Sequence, residues 1–105
     1  MPRMTRRASN NVFRDLGFGA EKAESLRIRA DLMVRISRLI ERRGLTQVAA
    51  AELFGVTQPR VSDLVRGKID RFSIDTLVDM LSRAGVRMRI TTRSGPARPK
   101  PNAAA

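Results

Sequence analysis

The sequence contains no cysteine, histidine, tryptophan or tyrosine, and its only aromatic residues are four phenylalanines. The absence of cysteine excludes disulfides and thiolate metal sites, and the absence of histidine removes the most common general base and metal ligand. The carboxylates are scattered along the chain and form no pair with a nucleophile or a metal-ligand set. We therefore expect a protein that is not an enzyme and that holds no metal or cofactor.

Long apolar segments are also absent. The chain has no run of about 18 apolar residues, and its basic N-terminus is not followed by the apolar stretch of a secretion signal. We expect a cytoplasmic protein that does not contact a membrane. A length of 105 residues allows one domain, and with 42% hydrophobic residues but few aromatics the core must consist of aliphatic side chains. This composition favours helices over a β-sandwich.

The net charge of +11 is concentrated at the two ends of the chain. Residues 1–11 contain three arginines, and residues 87–105 contain five basic residues, with no acidic residue in either segment. The intervening residues 12–86 contain thirteen basic and ten acidic residues. Basic ends attract polyanions but also keep a small protein soluble, so charge alone leaves both roles open. We predict disordered ends, a basic one at 1–11 and a basic proline-rich one at 93–105.

Apolar residues at helical spacing predict four helices in a domain that spans residues 12–92. Between residues 21 and 43 they recur every three or four positions, which predicts an amphipathic helix that ends at Gly44. Three shorter helices begin at hydroxyl caps and are ended by glycines, and they cover residues 46–54, 57–66 and 73–84.

A short apolar cluster precedes the first of these helices, at residues 12–18. It contains Val12, Phe13, Leu16 and Phe18, and glycines at 17 and 19 limit it to one helical turn. This segment either packs on its own domain or docks on a partner, and the sequence leaves both possibilities open.

The apolar period changes from helical spacing to alternation after Gly85. Val86, Met88 and Ile90 alternate with polar residues, which predicts one C-terminal β-strand with an apolar face. A single strand needs a partner on its edge, and the rest of the chain offers none. We predict that these three residues pair with the same strand of a second copy, although the edge of another protein's sheet is an alternative.

The segment from Gln47 to Arg66 fits a helix-turn-helix, in which two helices cross at a tight turn. An ordinary helical hairpin is the alternative, but it does not require this combination of residue types. The pattern places small residues where the helices approach, a glycine in the turn and apolar residues on the inner faces: Ala50, Ala51, Phe54, Gly55, Val56, Val61 and Leu64.

The outward face of the third helix carries the candidate binding residues. Its side chains can form hydrogen bonds with base edges or phosphates in a major groove of DNA, and Pro59 fits within the first helical turn. We expect Arg60 to read a base pair. The cations after the helix are predicted to bind phosphates. The polar residues of the face are Gln58, Arg60, Ser62 and Asp63, and the cations are Arg66, Lys68 and Arg71.

A longer motif at Thr46 to Lys68, TQ-x3-A-x3-GVTQP-x-VS-x-L-x-RGK, resembles the helix-turn-helix domains of phage repressors and Cro. The flanking segments NVFRDLG at 11–17 and RFSIDTL at 71–77 resemble those of HigA-like antitoxins. The similarity covers about residues 10 to 92. It implies a mainly α, phage-repressor-like bundle of four to five helices, followed by one C-terminal β-strand that pairs across a dimer.

The resemblance also implies roles for individual residues. Gln47 would approach a phosphate from the start of the second helix, while Thr57, Gln58, Pro59 and Arg60 would face the groove. Asp63 departs from the glutamine frequent at this position in phage repressors. A carboxylate accepts hydrogen bonds only, so Asp63 either accepts from cytosine N4 or orients Arg60.

The function implied by the resemblance is that of a bacterial, nucleoid-associated antitoxin. Such a protein binds an inverted-repeat operator in double-stranded DNA as a homodimer, represses its own operon and neutralises a RelE/HigB-like ribonuclease toxin. A stand-alone repressor of phage or mobile-element type, without a toxin partner, is the alternative. An RNA-binding module is a third possibility, supported only by the basic ends.

Overall fold

A computed structural model of the chain describes residue 13 and residues 16–94. Within them the chain forms four α-helices, with one turn of 3-10 helix at Ile69–Arg71 between the third and the fourth. The predicted helical class and the four predicted helices are therefore confirmed. The helices are α1 Ala20–Arg42, α2 Gln47–Phe54, α3 Gln58–Val65 and α4 Ile74–Arg83.

The two ends of the chain fall largely outside this description. The segment at 1–11 lies outside the described residues, and of the tail at 93–105 only residues 93 and 94 are described, both exposed. The predicted disorder of both ends therefore stays a prediction. In the described part of the chain, no helix combines the length and the hydropathy needed to cross a membrane.

Helix α1 is the longest element and supports the others. It buries one apolar face and carries acidic and basic residues on the other. On the outer face Arg27 pairs with Glu24 at 2.8 Å and with Asp31 at 3.1 Å, and the hydrogen bond with Glu24 raises the pKa of Arg27. The helix ends where Gly44 adopts φ +60°, and the amide of Leu45 donates to the carbonyl of Ile40 at 3.0 Å.

Helices α2, α3 and α4 begin at hydroxyl side chains, as predicted. Thr46 accepts from the amide of Ala49 at 3.1 Å, Thr57 from that of Arg60 at 3.4 Å and Ser73 from that of Thr76 at 3.1 Å. Each such cap satisfies an amide that has no partner within the helix and contributes about 1 kcal/mol. The caps set where each short helix starts.

A single hydrophobic core joins the four helices. Helix α3 rests on α2 and α1, and α4 packs against α1 and α2. None of the buried residues among those described is polar or charged. Phe72, in the loop before α4, is 1% exposed and belongs to this core. The other buried members are Leu32, Met33, Ile36, Ala50, Ala51, Phe54, Val61, Leu64, Leu77, Met80 and Leu81.

The predicted C-terminal strand is not confirmed. In the described part of the chain, residues 86–94 belong to no helix or strand. Val86 packs against the core and its amide closes α4 on the carbonyl of Leu81 at 3.0 Å, whereas Met88 and Ile90 are 36% and 79% exposed. The physical reason is that a strand requires a hydrogen-bonded neighbour, and one copy of these residues supplies none.

The apolar cluster before α1 forms a turn. The amides of Leu16 and Phe18 donate to the carbonyl of Phe13, each at 3.2 Å, and the two phenyl rings meet edge to face at 6.5 Å. Phe13 is half-buried, while Leu16 and Phe18 are 69% and 40% exposed. Val12 lies outside the described residues. Phe13 shares the lining of a cavity with Met33 and Val34 of α1, while Leu16 and Phe18 leave apolar side chains in solvent.

The turn between α2 and α3 depends on Gly55. This residue adopts φ +71°, and the amide of Val56 donates to the carbonyl of Ala51 at 3.0 Å. The side chain of Arg83 crosses over the glycine from the end of α4, so that a Cβ at Gly55 would lie 2.6 Å from Cδ of Arg83. The turn therefore needs a residue that tolerates left-handed backbone, while the flexible end of Arg83 could move away from an added Cβ.

We predict that Gly55→Ala lowers the free energy of unfolding by about 1–2 kcal/mol, because an L residue is strained in the left-handed region. The matched control is Gly19→Ala, at φ −71° with no atom within 4 Å of the added carbon, which is expected to cost about 0.5 kcal/mol. Urea unfolding followed by circular dichroism measures both. Equal losses in the two variants would contradict the assigned role of the turn.

Candidate nucleic-acid interface

Helix α3 lies at the surface with one buried face and one exposed face. Val61 and Leu64 are each 1% exposed and fix the helix to the core. Gln58 and Pro59 are exposed in the first turn, and Ser62 is partly exposed in the second. The proline lies at a position where its missing amide proton costs no helical hydrogen bond. The exposed residues thus leave a polar surface free for a ligand.

The N-termini of α2 and α3 are also accessible. Gln47 is exposed as the first residue of α2, and Thr57 is exposed although its hydroxyl already caps α3. The first amides of a helix carry partial positive charge, which favours an approaching phosphate. The structure therefore places these two predicted residues where a DNA backbone can reach them.

Arg60 is held against the protein rather than extended into solvent. Its Nη1 donates to the carbonyl of Arg71 at 2.9 Å, and its guanidinium carbon lies 4.9 Å from the centre of the Phe72 ring. A guanidinium has five N–H donors, so the bond with Arg71 leaves others for a ligand. The position of the Phe72 ring under Arg60 was not predicted from the sequence, because it depends on the path of the 3-10 segment that precedes it.

Asp63 contacts two cations that follow α3. Its Oδ2 accepts from Nη1 of Arg71 at 3.2 Å, and its Oδ1 lies 4.0 Å from Nζ of Lys68. The side chain of Asp63 is 17% exposed. The expectation that Asp63 orients Arg60 is not confirmed, since the side chains that it contacts are those of Arg71 and Lys68. The alternative, acceptance from cytosine N4, stays a prediction.

The end of α3 forms a positively charged surface. Arg66 is exposed at the C-terminus of the helix, and the side chains of Lys68 and Arg71 are 38% and 52% exposed. Two of these cations pair with Asp63, and a second carboxylate, Asp70, is exposed next to Arg71. Three cations and two carboxylates leave net positive charge at this surface. Such a surface suits phosphate groups.

Among the described residues, no group of three or more carboxylates, histidines or cysteines is arranged to hold a metal ion. The most apolar cavity, of about 500 Å³, lies between α1 and the end of α3, and its lining includes Phe13, Met33, Val34 and Val65. The interface described above is therefore the strongest candidate site in the described part of the chain.

The arrangement of α2, the Gly55 turn and α3 is that of a helix-turn-helix. The model of a family described as helix-turn-helix domain matches residues 12–93, and the chain belongs to this family. No match was found among curated proteins. The predicted helix-turn-helix is thus confirmed, and membership in the family indicates a DNA-binding regulator.

We predict different effects for two arginines of this surface. If Arg60 reads a base pair, Arg60→Ala is expected to relax discrimination at that base pair by about 1–3 kcal/mol, because the base contact would be lost. Arg66→Ala is expected to weaken binding to all sequences and to reduce the salt slope by about 1, because a phosphate contact is lost. Titration of labelled duplexes at several salt concentrations measures both. Equal weakening of specific and random DNA by Arg60→Ala would refute base reading.

Proposed function

We propose that this protein is a sequence-specific transcriptional repressor that binds an inverted-repeat operator in double-stranded DNA. The observation that carries the proposal is α3, with a polar outer face at Gln58 and Ser62 and with cations at its end. A helix presented in this way fits the major groove, and the flanking cations fit the phosphates on either side. The function is non-catalytic, and the protein is expected in the bacterial cytoplasm, at the nucleoid.

The proposed repressor acts as a homodimer joined by residues 86–90. Met88 and Ile90 expose apolar side chains, and Arg87 and Arg89 alternate with them. Pairing with the same segment of a second copy satisfies the backbone groups on one edge of each strand and brings these apolar side chains next to those of the other copy. Two α3 helices related by a two-fold axis then lie about 34 Å apart, which is one turn of DNA.

We further propose that the repressor is the antitoxin of a toxin-antitoxin pair and neutralises a RelE/HigB-like ribonuclease. The support is the similarity of the segments 11–17 and 71–77 to those of HigA-like antitoxins. The exposed Leu16 and Phe18 supply apolar surface of the kind that a protein partner covers. A stand-alone repressor of phage or mobile-element type shares the same DNA-binding surface but needs no such partner.

The dimer is tested by placing a carboxylate in the predicted interface. Ile90→Asp is expected to convert a dimer into a monomer at micromolar concentration, because it inserts charge into an apolar contact. Thr91→Asp, one residue along the chain and on the opposite face of the predicted strand, is the matched control and is expected to remain dimeric. Analytical ultracentrifugation distinguishes the two states. A monomeric wild-type protein would refute the proposed dimer.

The DNA-binding and antitoxin functions are tested separately. Selection from a library of random duplexes is expected to enrich an inverted repeat, and enrichment of no common sequence would refute the repressor function. Expression of the chain together with the product of the adjacent gene is expected to yield a stable complex with a basic protein of about 100 residues and to relieve its toxicity. Failure of both would leave the stand-alone repressor as the function.

A further inference from the structure

We propose that Asp63 is a positioning residue, which holds Arg71 and Lys68 in place for the phosphates of a specific DNA complex and reads no base itself. The inference rests on the proposed binding of DNA by α3. It adds to that function a distinction between Asp63, which arranges the phosphate contacts, and Arg71 and Lys68, which make them. The observations that support it are the contacts that residues 68 and 71 make with α3.

Arg71 is held from α3 at two points. Arg60 binds its backbone carbonyl at 2.9 Å, and Asp63 binds its guanidinium at 3.2 Å. Arg60 and Asp63 are three residues apart, so they lie on the same side of the helix. Two successive turns of α3 therefore fix the backbone and the side chain of one arginine.

Lys68 is held by Asp63 in the same way. Its backbone amide donates to the carbonyl of Asp63 at 3.0 Å, and its Nζ lies 4.0 Å from Oδ1 of the same residue. Each of the two cations thus has one backbone contact and one side-chain contact with α3. Oδ2 of Asp63 thus accepts a hydrogen bond from Arg71, and Oδ1 forms a longer ion pair with Lys68.

The three side chains differ in how far they are exposed to solvent. The carboxylate of Asp63 is 17% exposed, whereas Lys68 and Arg71 are 38% and 52% exposed. The acid lies inside and the cations lie outside, where a phosphate approaches. Arg71 has donors left for a phosphate after it has bonded with Asp63. A base edge would have to reach a carboxylate that is only 17% exposed and is already paired with two more exposed cations.

Two effects of Asp63 on DNA binding oppose each other. Its negative charge weakens the general attraction of the surface for DNA. Its contacts restrict two flexible side chains before DNA binds, which lowers the entropy lost on forming a complex with fixed geometry. Non-specific binding depends mainly on charge, while specific binding also depends on geometry. Asp63 is therefore expected to favour the specific complex over the non-specific one. Substitution of Asp63 therefore separates the effect of its charge from the effect of its contacts.

The test compares Asp63→Asn with Asp70→Asn. Both variants remove one negative charge close to Arg71, but Asp70 is exposed and takes no part in the two ion pairs of Asp63. We expect Asp63→Asn to weaken binding to the duplex selected by the wild-type protein by about 3- to 10-fold, and not to weaken binding to a random duplex. Asp70→Asn is expected to strengthen both slightly. Asp63→Glu, which keeps the carboxylate, is expected to recover part of the specific affinity.

A double-mutant cycle distinguishes positioning from base reading. In a background of Lys68→Gln and Arg71→Gln, Asp63→Asn is expected to have no further effect on specific binding, because the residues through which it acts are absent. A loss that persists there and is confined to one base pair of the operator would show that Asp63 reads a base, and would overturn the proposal. If Asp63→Asn and Asp70→Asn changed binding to the selected and the random duplex equally, Asp63 would act only through its charge, and the proposal would be overturned.

Controls distinguish a failure of the proposed role of Asp63 from a failure of the proposed DNA-binding function. Thermal unfolding of each variant confirms that it is folded before its DNA binding is compared. A wild-type protein that does not distinguish the selected from the random duplex would refute the DNA-binding proposal and this inference together. A wild-type protein that does so, with Asp63→Asn unchanged in specificity, would refute the inference alone.

Discussion

The ring of Phe72 links the core of this domain to the surface of α3. It is 1% exposed in the loop before α4, and the guanidinium of Arg60 lies over it at 4.9 Å. Its carbonyl accepts from Nη1 of Arg29 on α1 at 3.4 Å. One residue thus connects α1, α3 and the start of α4. The position of Arg60, and through it that of Arg71, depends on where this ring is buried.

The contact between Arg60 and the Phe72 ring helps a small domain with few aromatic residues to hold the surface of α3 in a defined position. Only Val61 and Leu64 anchor α3 from its own buried face, and the helix has two turns. Arg60 and Asp63 add a second attachment at the outer edge, to the segment that follows the helix. Arg60, which is proposed to meet a DNA duplex, therefore also helps to hold the helix in its place. Arg60 thus contributes both to the fold and to the proposed DNA-binding surface.

Most of the fold followed from local signals in the sequence. The hydroxyl caps at Thr46, Thr57 and Ser73 and the glycine turn at Gly55 act within a few residues, and the structure has them where the pattern predicted. The strand at Val86 to Ile90 was a different kind of prediction. Its formation depends on a second chain, and alternation of side chains predicts only which face is apolar.

The candidate site was predictable in its composition but not in its contacts. The residues of α3 and the cations after it were all identified from their positions in the motif. What the sequence did not reveal was that Arg60 lies on Phe72 and that Asp63 contacts Arg71. These contacts join residues eight to twelve positions apart through the 3-10 segment. Their geometry depends on the path of that segment, which no periodic pattern encodes.

The shortness of α2 and α3 has a consequence for how the protein responds to its ligand. Each contains eight residues, and isolated helices of fewer than about 12–15 residues are marginal in water. The helix that meets DNA therefore exists only while the whole domain is folded. Any ligand of that helix shifts the folding equilibrium by mass action. Operator DNA would thus act as a stabiliser of its own regulator, and the share of chains open to proteolysis would fall as operator sites are filled.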